Sequence, residues 1–179
     1  ALQQDQPHLW LARGRRHADL NQWPKAASDF ARAVTLKDDD PRNWYEQAMA
    51  QLAGGDLPAY RRVCADLIKR FGDTKDPGVA ARVVYTCVSG ANAGVDGQQL
   101  LRFAEIAAPV PGDDAALRGV ALCRAGKYDD AIRALEASAR APMPYPALQW
   151  LFLSIAHHHR GRATEAGRYL DSAAAWIDE

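Results

Sequence analysis

Three consecutive histidines, His157, His158 and His159, form the cluster in this sequence that most resembles a metal-binding site. Imidazole nitrogens are common ligands of zinc, which usually takes four ligands in a tetrahedral arrangement. Successive side chains of one helix point about 100° apart, so three adjacent histidines of a helix cannot converge on one ion. We therefore expect these rings to pack or to face solvent, and we predict neither a metal nor any other cofactor.

The sequence offers equally little for catalysis. Its serines are isolated, and none lies in the G-x-S-x-G motif that presents a nucleophile. The acidic pairs 113–114 and 129–130 fall at predicted helix starts or turns, where carboxylates stabilise the exposed amides and the positive end of the helix dipole. We therefore expect that the chain is not an enzyme.

Charge and hydropathy exclude two further classes of partner. The 179 residues hold 22 Lys and Arg against 22 Asp and Glu, so the formal net charge is zero. A balanced charge without a basic cluster argues against nucleic acid and anionic membranes as partners. No apolar run approaches the roughly 18 residues that a membrane span requires. We predict no nucleic-acid partner and no membrane insertion.

The cysteines indicate the redox environment. Cys64, Cys87 and Cys123 are odd in number and far apart, which argues against a disulfide framework or a zinc knuckle. Buried, reduced thiols in a reducing compartment are the simpler interpretation. No signal peptide is visible at the start of the sequence. We predict cytoplasmic localisation and, because no initiator Met is present, expect the chain to be a fragment of a longer protein.

The regular spacing of residues between positions 9 and 41 indicates the secondary structure of the chain. Trp10, Gly14 and His17 follow one another after four and three residues, which places them on one face of a helix. Asn21 and Pro24 favour a turn, because Asn tolerates left-handed backbone and Pro suits the first turn of a helix. A second stripe follows at helical spacing: Ala26, Phe30 and Ala33. The pattern predicts a helical hairpin.

This hairpin resembles the tetratricopeptide repeat (TPR), a helix-turn-helix unit of 34 residues. Its signature residues are those just described, with His17 where tyrosine is commoner, and Trp44 follows Trp10 after 34 residues. The resemblance implies an all-α, right-handed superhelical solenoid of about five TPR-like hairpins, the third irregular. We predict one domain over residues 1–179, with repeats at about 7–40, 41–74, 75–111, 112–146 and 147–179.

The signature returns along the chain, except in the third repeat. The matching residues of the second, fourth and fifth repeats are Trp44, Ala48 and Gly55, then Gly119, Gly126, Tyr128 and Ala131, then Trp150, Gly161, Ala166, Leu170 and Ala173. His157 falls at the aromatic position of the fifth repeat, so we expect it in the core. The third repeat has predicted helices at 79–88 and 98–108, joined by a glycine-rich connection. We interpret this connection as an insertion, with a hinge or a functional loop as alternatives.

Several segments further resemble the C-terminal TPR regions of bacterial multidomain proteins that carry a serine/threonine kinase domain or WD40 repeats. They include GDLPAYRRVCADLIKRFGD and RAGKYDDAIRALE. No glycine-rich phosphate loop, H-R-D or D-F-G motif occurs in the sequence. The resemblance therefore implies that any kinase domain lies outside this chain.

The resemblance also implies a binding surface, because the first helix of each repeat lines the concave face of a TPR stack. The predicted partner-binding residues are Leu11, Arg15, Arg42, Tyr45, Met49, Leu52, Val120, Leu151, Ile155 and His158. Further residues aligned with this lining are His8, Ala18, Ala116, Cys123 and Leu148, with Tyr85 in the irregular repeat. Aliphatic side chains with two arginines suit a peptide or protein segment that has apolar anchors and an acidic group for Arg15 and Arg42. We expect about half of the set to pack between repeats instead.

Two alternative functions stay open: a self-associating scaffold, and a regulatory appendage of a kinase whose catalytic domain lies outside this chain. The TPR proteins that hold chaperone C-termini use a Lys/Asn/Arg clamp, whereas Leu11, Arg15 and Glu46 stand at its positions here, which disfavours that ligand. The last predicted helix, at about 164–178, carries Tyr169 and Trp176, which could form a docking patch for self-association. We expect a monomer with a buried Trp176, and a homo-oligomeric scaffold is the alternative.

Overall fold

The computed structural model describes residues 6–108, 114–138 and 146–178, and this part of the chain forms ten α-helices and no strand. The helices are α1 (Pro7–Asp19), α2 (Trp23–Leu36), α3 (Pro41–Ala53), α4 (Leu57–Phe71), α5 (Pro77–Val88), α6 (Gly97–Ala107), α7 (Asp114–Arg124), α8 (Tyr128–Ser138), α9 (Pro146–His159) and α10 (Ala163–Asp178). Consecutive helices pack as the hairpins α1–α2, α3–α4, α7–α8 and α9–α10. The predicted all-α class and its helical hairpins are confirmed. None of the described helices is both long and apolar enough to cross a membrane.

The helix starts and turns follow from local sequence. The Asp40 carboxylate accepts a hydrogen bond from the Arg42 backbone N–H at 3.0 Å, ahead of a proline in the first turn. The acidic run 38–40 before α3 therefore ends in a helix cap. Asn21, between α1 and α2, has a φ of 55°, the left-handed conformation that Asn tolerates. Aspartates cap four successive helices in the same way: Asp40, Asp56, Asp76 and Asp96.

The chain divides into two compact units, and the first spans residues 1–95. Within it, α1 and α2 approach closely at Gly14, where an added Cβ would lie 2.6 Å from Cε1 of Phe30. Only a residue without a side chain admits the ring there, which explains the small-residue position of the hairpin. Helix α3 then packs against α2, and α5 packs against α3 and α4.

The irregular third repeat begins with α5, which starts two residues before the predicted helix at 79–88. Tyr60 of α4 is fully buried beneath the end of this helix. Its hydroxyl donates to the Thr86 carbonyl at 2.8 Å and accepts from the Gly90 N–H at 3.0 Å. Tyr60 therefore anchors the C-terminus of α5 through these two hydrogen bonds.

The second unit spans residues 96–179 and contains α6 to α10. Helices α7 and α8 approach at Gly119, where a Cβ would lie 2.6 Å from Cγ of Leu135. Helix α9 lies against both, and the buried amide of Gln149 donates to Ser138 Oγ at 2.7 Å and to the Leu135 carbonyl. Asp113 and the first five residues of the proline-rich stretch 141–146 lie outside the described residues. The single domain over 1–179 stays a prediction.

Candidate functional site

In the first unit, contacts link α1 to α3 through Arg15 and Glu46, and α3 to α5 through Tyr45 and Arg82, and we call the surface of these three helices the α1–α3–α5 face. It comprises Leu11, Arg15, Tyr45, Glu46, Met49, Leu52 and Arg82. An ion pair crosses it from α1 to α3, with Arg15 Nη2 and Nε at 2.8 and 2.9 Å from Glu46 Oε1. Arg15 thus already holds a carboxylate, and an acidic partner must compete with Glu46 for it.

Arg42 is paired in the same way. Its guanidinium lies at 3.1 and 3.2 Å from the Asp40 carboxylate that caps α3. Burial opposes ionisation of Asp40, but the hydrogen bonds and charge of Arg42 hold the pKa of this carboxyl below its usual value. The two arginines predicted to receive an acidic partner therefore both have carboxylate partners inside the chain.

Arg82 of α5 is a residue of this face that the sequence analysis missed. Its guanidinium lies 5.1 Å from the centre of the Tyr45 ring, within the range of a cation–π interaction. Among the described residues no carboxylate lies within ion-pair distance of it. Aligning Pro77 with Pro41 would have found it, because Arg82 then stands at the register position of Glu46.

A polar cavity of about 380 Å³ opens beside Arg82, between the N-termini of α3 and α5. Its wall includes Lys37, Asp39, Asp40, Arg42, Asp76 and Arg82. Two of these acids serve as helix caps, Asp40 for α3 and Asp76 for α5. Arg42 is paired with Asp40, so Lys37 and Arg82 are the cations of this cavity for which the described residues supply no carboxylate at ion-pair distance.

The apolar side chains of the face are partly exposed. Leu11, Tyr45, Met49 and Leu52 are all half-buried. Leu11 and Ala18 also pack against a buried cluster of Ala26, Ala27, Phe30 and Ala50. The face therefore presents shallow apolar contacts between its charged groups.

In the second unit the predicted residues separate. Val120 is only 4% exposed, and its neighbours in the predicted lining, Ala116 and Cys123, are also buried. Their helix α7 packs against α6, α8 and α9. The structure places Val120 in the core of this unit rather than on its surface.

The other predicted residues of the second unit lie on α9. Leu151 is half-buried, whereas Ile155 and His158 are exposed and line a cavity of about 440 Å³ between α9 and α10. We call this cavity the α9–α10 groove. The structure brings these two residues together, and the partner-binding role of the whole set stays a prediction.

The three histidines have different surroundings. His157 is buried, as predicted, and its ring stacks on Tyr169 at 5.5 Å, whereas the His159 ring stacks on Tyr128 at 4.4 Å. Among the described residues neither ring nitrogen of His157 has a hydrogen-bond partner, and Nε2 lies 3.9 Å from Glu136 Oε1. Burial and the charge of Arg162 lower the pKa of His157, against the opposing effect of Glu136. Among the described residues, no three potential ligands are grouped to hold a metal ion.

All three cysteines are free thiols and buried. Burial raises the pKa of Cys123 to about 11. The side-chain hydrogen bond between Cys64 and Cys87 lowers the pKa of the first thiol and raises that of the second. These groups pack as small apolar residues, which is the interpretation that their spacing indicated.

Comparison with known families gives a match to the tetratricopeptide repeat model over residues 11–73 and 113–179. Comparison with curated proteins gives no match. Among solved structures, the chain is similar to TTC0263, a thermophilic TPR protein of Thermus thermophilus, with a TM-score of 0.60 and 19% identity over 94% of this chain and 90% of that one.

Two further structures have the same fold. MamA gives a TM-score of 0.55 at 13% identity, covering 93% of this chain and 89% of that one. YrrB, described as a TPR protein with an unusual peptide-binding site, gives 0.54 at 12% identity over 94% and 85%. At these identities the likeness shows the fold alone.

Proposed function

This chain belongs to the tetratricopeptide repeat family, and on that premise we propose that it is a non-catalytic protein-interaction module. Its binding site is the α1–α3–α5 face of the first unit, and its ligand is a peptide or protein segment. The single observation that carries this proposal is the Arg82 guanidinium, which lies on the Tyr45 ring and has no carboxylate within reach among the described residues. The peptide-binding site of YrrB, a protein of similar structure, supports a ligand of this class.

The chemistry of the face defines the ligand. An acidic side chain would bind Arg82 through a charge-assisted hydrogen bond. The arginine is already held against the Tyr45 ring, so forming this bond costs little side-chain entropy. Apolar side chains two or three residues away would cover Met49 and Leu52, both of them half-buried. Arg15 and Arg42 are paired with Glu46 and Asp40, so each would bind an acidic side chain only by displacing that carboxylate.

An array of synthetic peptides, probed with the intact chain, tests this proposal. The wild-type chain should select peptides that combine an acidic residue with apolar residues, and Arg82→Glu should weaken capture of the selected peptides by about ten-fold or more, since it reverses the charge. Tyr45→Ala should also weaken capture of these peptides, because the Arg82 guanidinium loses the ring that holds it in place.

The matched control is Arg62→Glu, which makes the same change at an exposed arginine of α4. It should leave capture within about two-fold of wild type, and circular dichroism should show all three variants to be folded. If Arg82→Glu and Arg62→Glu capture the same peptides equally well, the proposed site is wrong.

Self-association is the second candidate function, and one observation favours it. Ile177, in the last turn of α10, is 62% exposed, and Trp176 beside it is also exposed rather than buried. Size-exclusion chromatography with light scattering would show a dimer that Ile177→Asp abolishes. Cytoplasmic localisation and a role beside a kinase or WD40 domain outside this chain stay predictions.

A further inference from the structure

Glu46 is the one acid among the residues that define the α1–α3–α5 face, and it lies on the middle helix of the three, α3. Its Oε1 accepts hydrogen bonds from Arg15 Nε and Nη2 at 2.9 and 2.8 Å. In the part of the chain that the structure describes, no group donates a hydrogen bond to the other oxygen, Oε2. The carboxylate therefore neutralises Arg15 through one oxygen and keeps the second oxygen without a donor.

The ion pair between Arg15 and Glu46 contributes little to folding. The Arg15 side chain is 60% exposed, and that of Glu46 is 28% exposed. Pairs this exposed add little stability, because water screens the charges and two long side chains lose freedom. Asp40, by comparison, caps helix α3, whereas the described hydrogen bonds to the Glu46 side chain all come from Arg15. The main effect of Glu46 is therefore on the charge that the face presents to a ligand.

The distance between the Arg15 and Arg82 guanidinium groups decides which ligand residues can meet both. The first is held at Glu46, and the second lies 5.1 Å from the centre of the Tyr45 ring. Tyr45 and Glu46 are successive residues, whose side chains diverge by about 100° on a helix. The two guanidinium groups are therefore separated by on the order of 10 Å, the width of a helix with its side chains. An extended segment spans that distance in about three residues.

We propose that Glu46 is a specificity-determining residue of the α1–α3–α5 face and that it restricts the ligand to a single acidic side chain. The inference rests on the proposed function, in which that acid binds Arg82. A second acid about three residues away would have to displace Glu46 from Arg15. The half-buried Glu46 carboxylate would then lie beside another carboxylate, and the two like charges would repel each other. The ligand is therefore a segment with one acid and several apolar residues, without a second acid nearby.

Neutralising Glu46 should widen this specificity. Glu46→Gln keeps the shape of the side chain and an oxygen that can accept from Arg15, but it removes the negative charge. Arg15 then loses its carboxylate partner, and its exposed guanidinium can form a charge-assisted hydrogen bond with the ligand. The variant should therefore accept segments that carry two acids about three residues apart.

An array of synthetic peptides in matched pairs tests the proposal. The two peptides of a pair share one glutamate flanked by leucines. One of them has a second glutamate at a distance of about two to four residues, and the other has glutamine in that place. The readout is the amount of two-acid peptide captured by the intact chain, divided by that of its single-acid partner. This ratio should be about one third or less for the wild type and about five-fold higher for Glu46→Gln.

Two further variants serve as controls. Glu105→Gln makes the same change at an exposed glutamate of α6, in the second unit, and should leave the ratio within about two-fold of wild type. Combining Arg15→Gln with Glu46→Gln should abolish the gain, because the gain requires the Arg15 guanidinium. Circular dichroism should show that all these variants are folded.

Three outcomes would overturn the proposal. The first is an equal ratio for Glu46→Gln and Glu105→Gln, although Arg82→Glu weakens capture of the single-acid peptides. The second is a wild-type chain that prefers the two-acid peptides. The third is a gain in the double variant as large as that in Glu46→Gln.

Failure of the proposed function gives a different result. In that case Arg82→Glu and Arg62→Glu capture the single-acid peptides equally well, and the inference about Glu46 falls with the site itself. The Arg82 pair of variants therefore tests the site, and the Glu46 pair tests its specificity.

Discussion

The Tyr60 hydroxyl should stabilise the first unit through the helix that carries Arg82. It bridges the Thr86 carbonyl and the Gly90 N–H, which are four residues apart. It therefore stands where a direct α-helical hydrogen bond would otherwise close the end of α5. Burial raises the pKa of Tyr60, so the hydroxyl keeps the proton that it donates. Replacing Tyr60 by Phe removes both hydrogen bonds and keeps the ring.

The size of the effect follows from these two bonds. A buried intramolecular hydrogen bond contributes a net stability of about 0.5–1.5 kcal/mol, so Tyr60→Phe should lower the free energy of unfolding by about 1–3 kcal/mol. The matched control is Tyr45→Phe, at a half-buried tyrosine of the same unit. It should change stability by no more than about 0.5 kcal/mol.

Urea unfolding followed by circular dichroism gives the stability difference, provided that the slope with denaturant is the same for both variants. Native-state hydrogen exchange adds a local readout. The Gly90 amide should exchange faster in Tyr60→Phe, and amides of the second unit should not change. Equal stability of Tyr60→Phe and Tyr45→Phe would refute the reasoning, because it would mean that the backbone closes its own hydrogen bond at no cost.

Three further predictions concern packing and titration. Gly119→Leu should lower stability by about 1–3 kcal/mol in thermal or urea unfolding, because its side chain must displace Leu135, and an unchanged midpoint would contradict this. The pKa of His157 is lower in the folded protein than in the unfolded chain, so the unfolded chain gains a proton first as the pH falls. The free energy of unfolding should therefore have its full value above about pH 6.5 and decrease below that pH. A series of unfolding curves at different pH should show a weaker dependence in His157→Phe. Thiol labelling should proceed only at the rate at which the protein opens, and fast labelling of the native chain would contradict the burial of all three cysteines: Cys64, Cys87 and Cys123.

The helices, turns and helix caps of this protein could be predicted from its sequence, because each depends on residues that are close together along the chain. The spacing of Trp10, Gly14 and Phe30 predicts a hairpin, since residues three and four apart share a helix face. Asn21 and Asp40 predict a turn and a helix cap, because each acts on backbone groups within a few residues. The core position of His157 follows from the same repeat register. The structure confirms these four features.

The proposed binding surface depends on tertiary structure. Register predicts which face of a helix a residue occupies, but it does not predict which distant side chain will meet it. Arg15 pairs with Glu46, 31 residues away, and the Arg82 guanidinium lies on the Tyr45 ring. Val120, at a register position that lines the predicted groove, is buried in α7 instead. The partners of long flexible side chains and the packing between helices depend on distances in space, and only the folded chain fixes these distances.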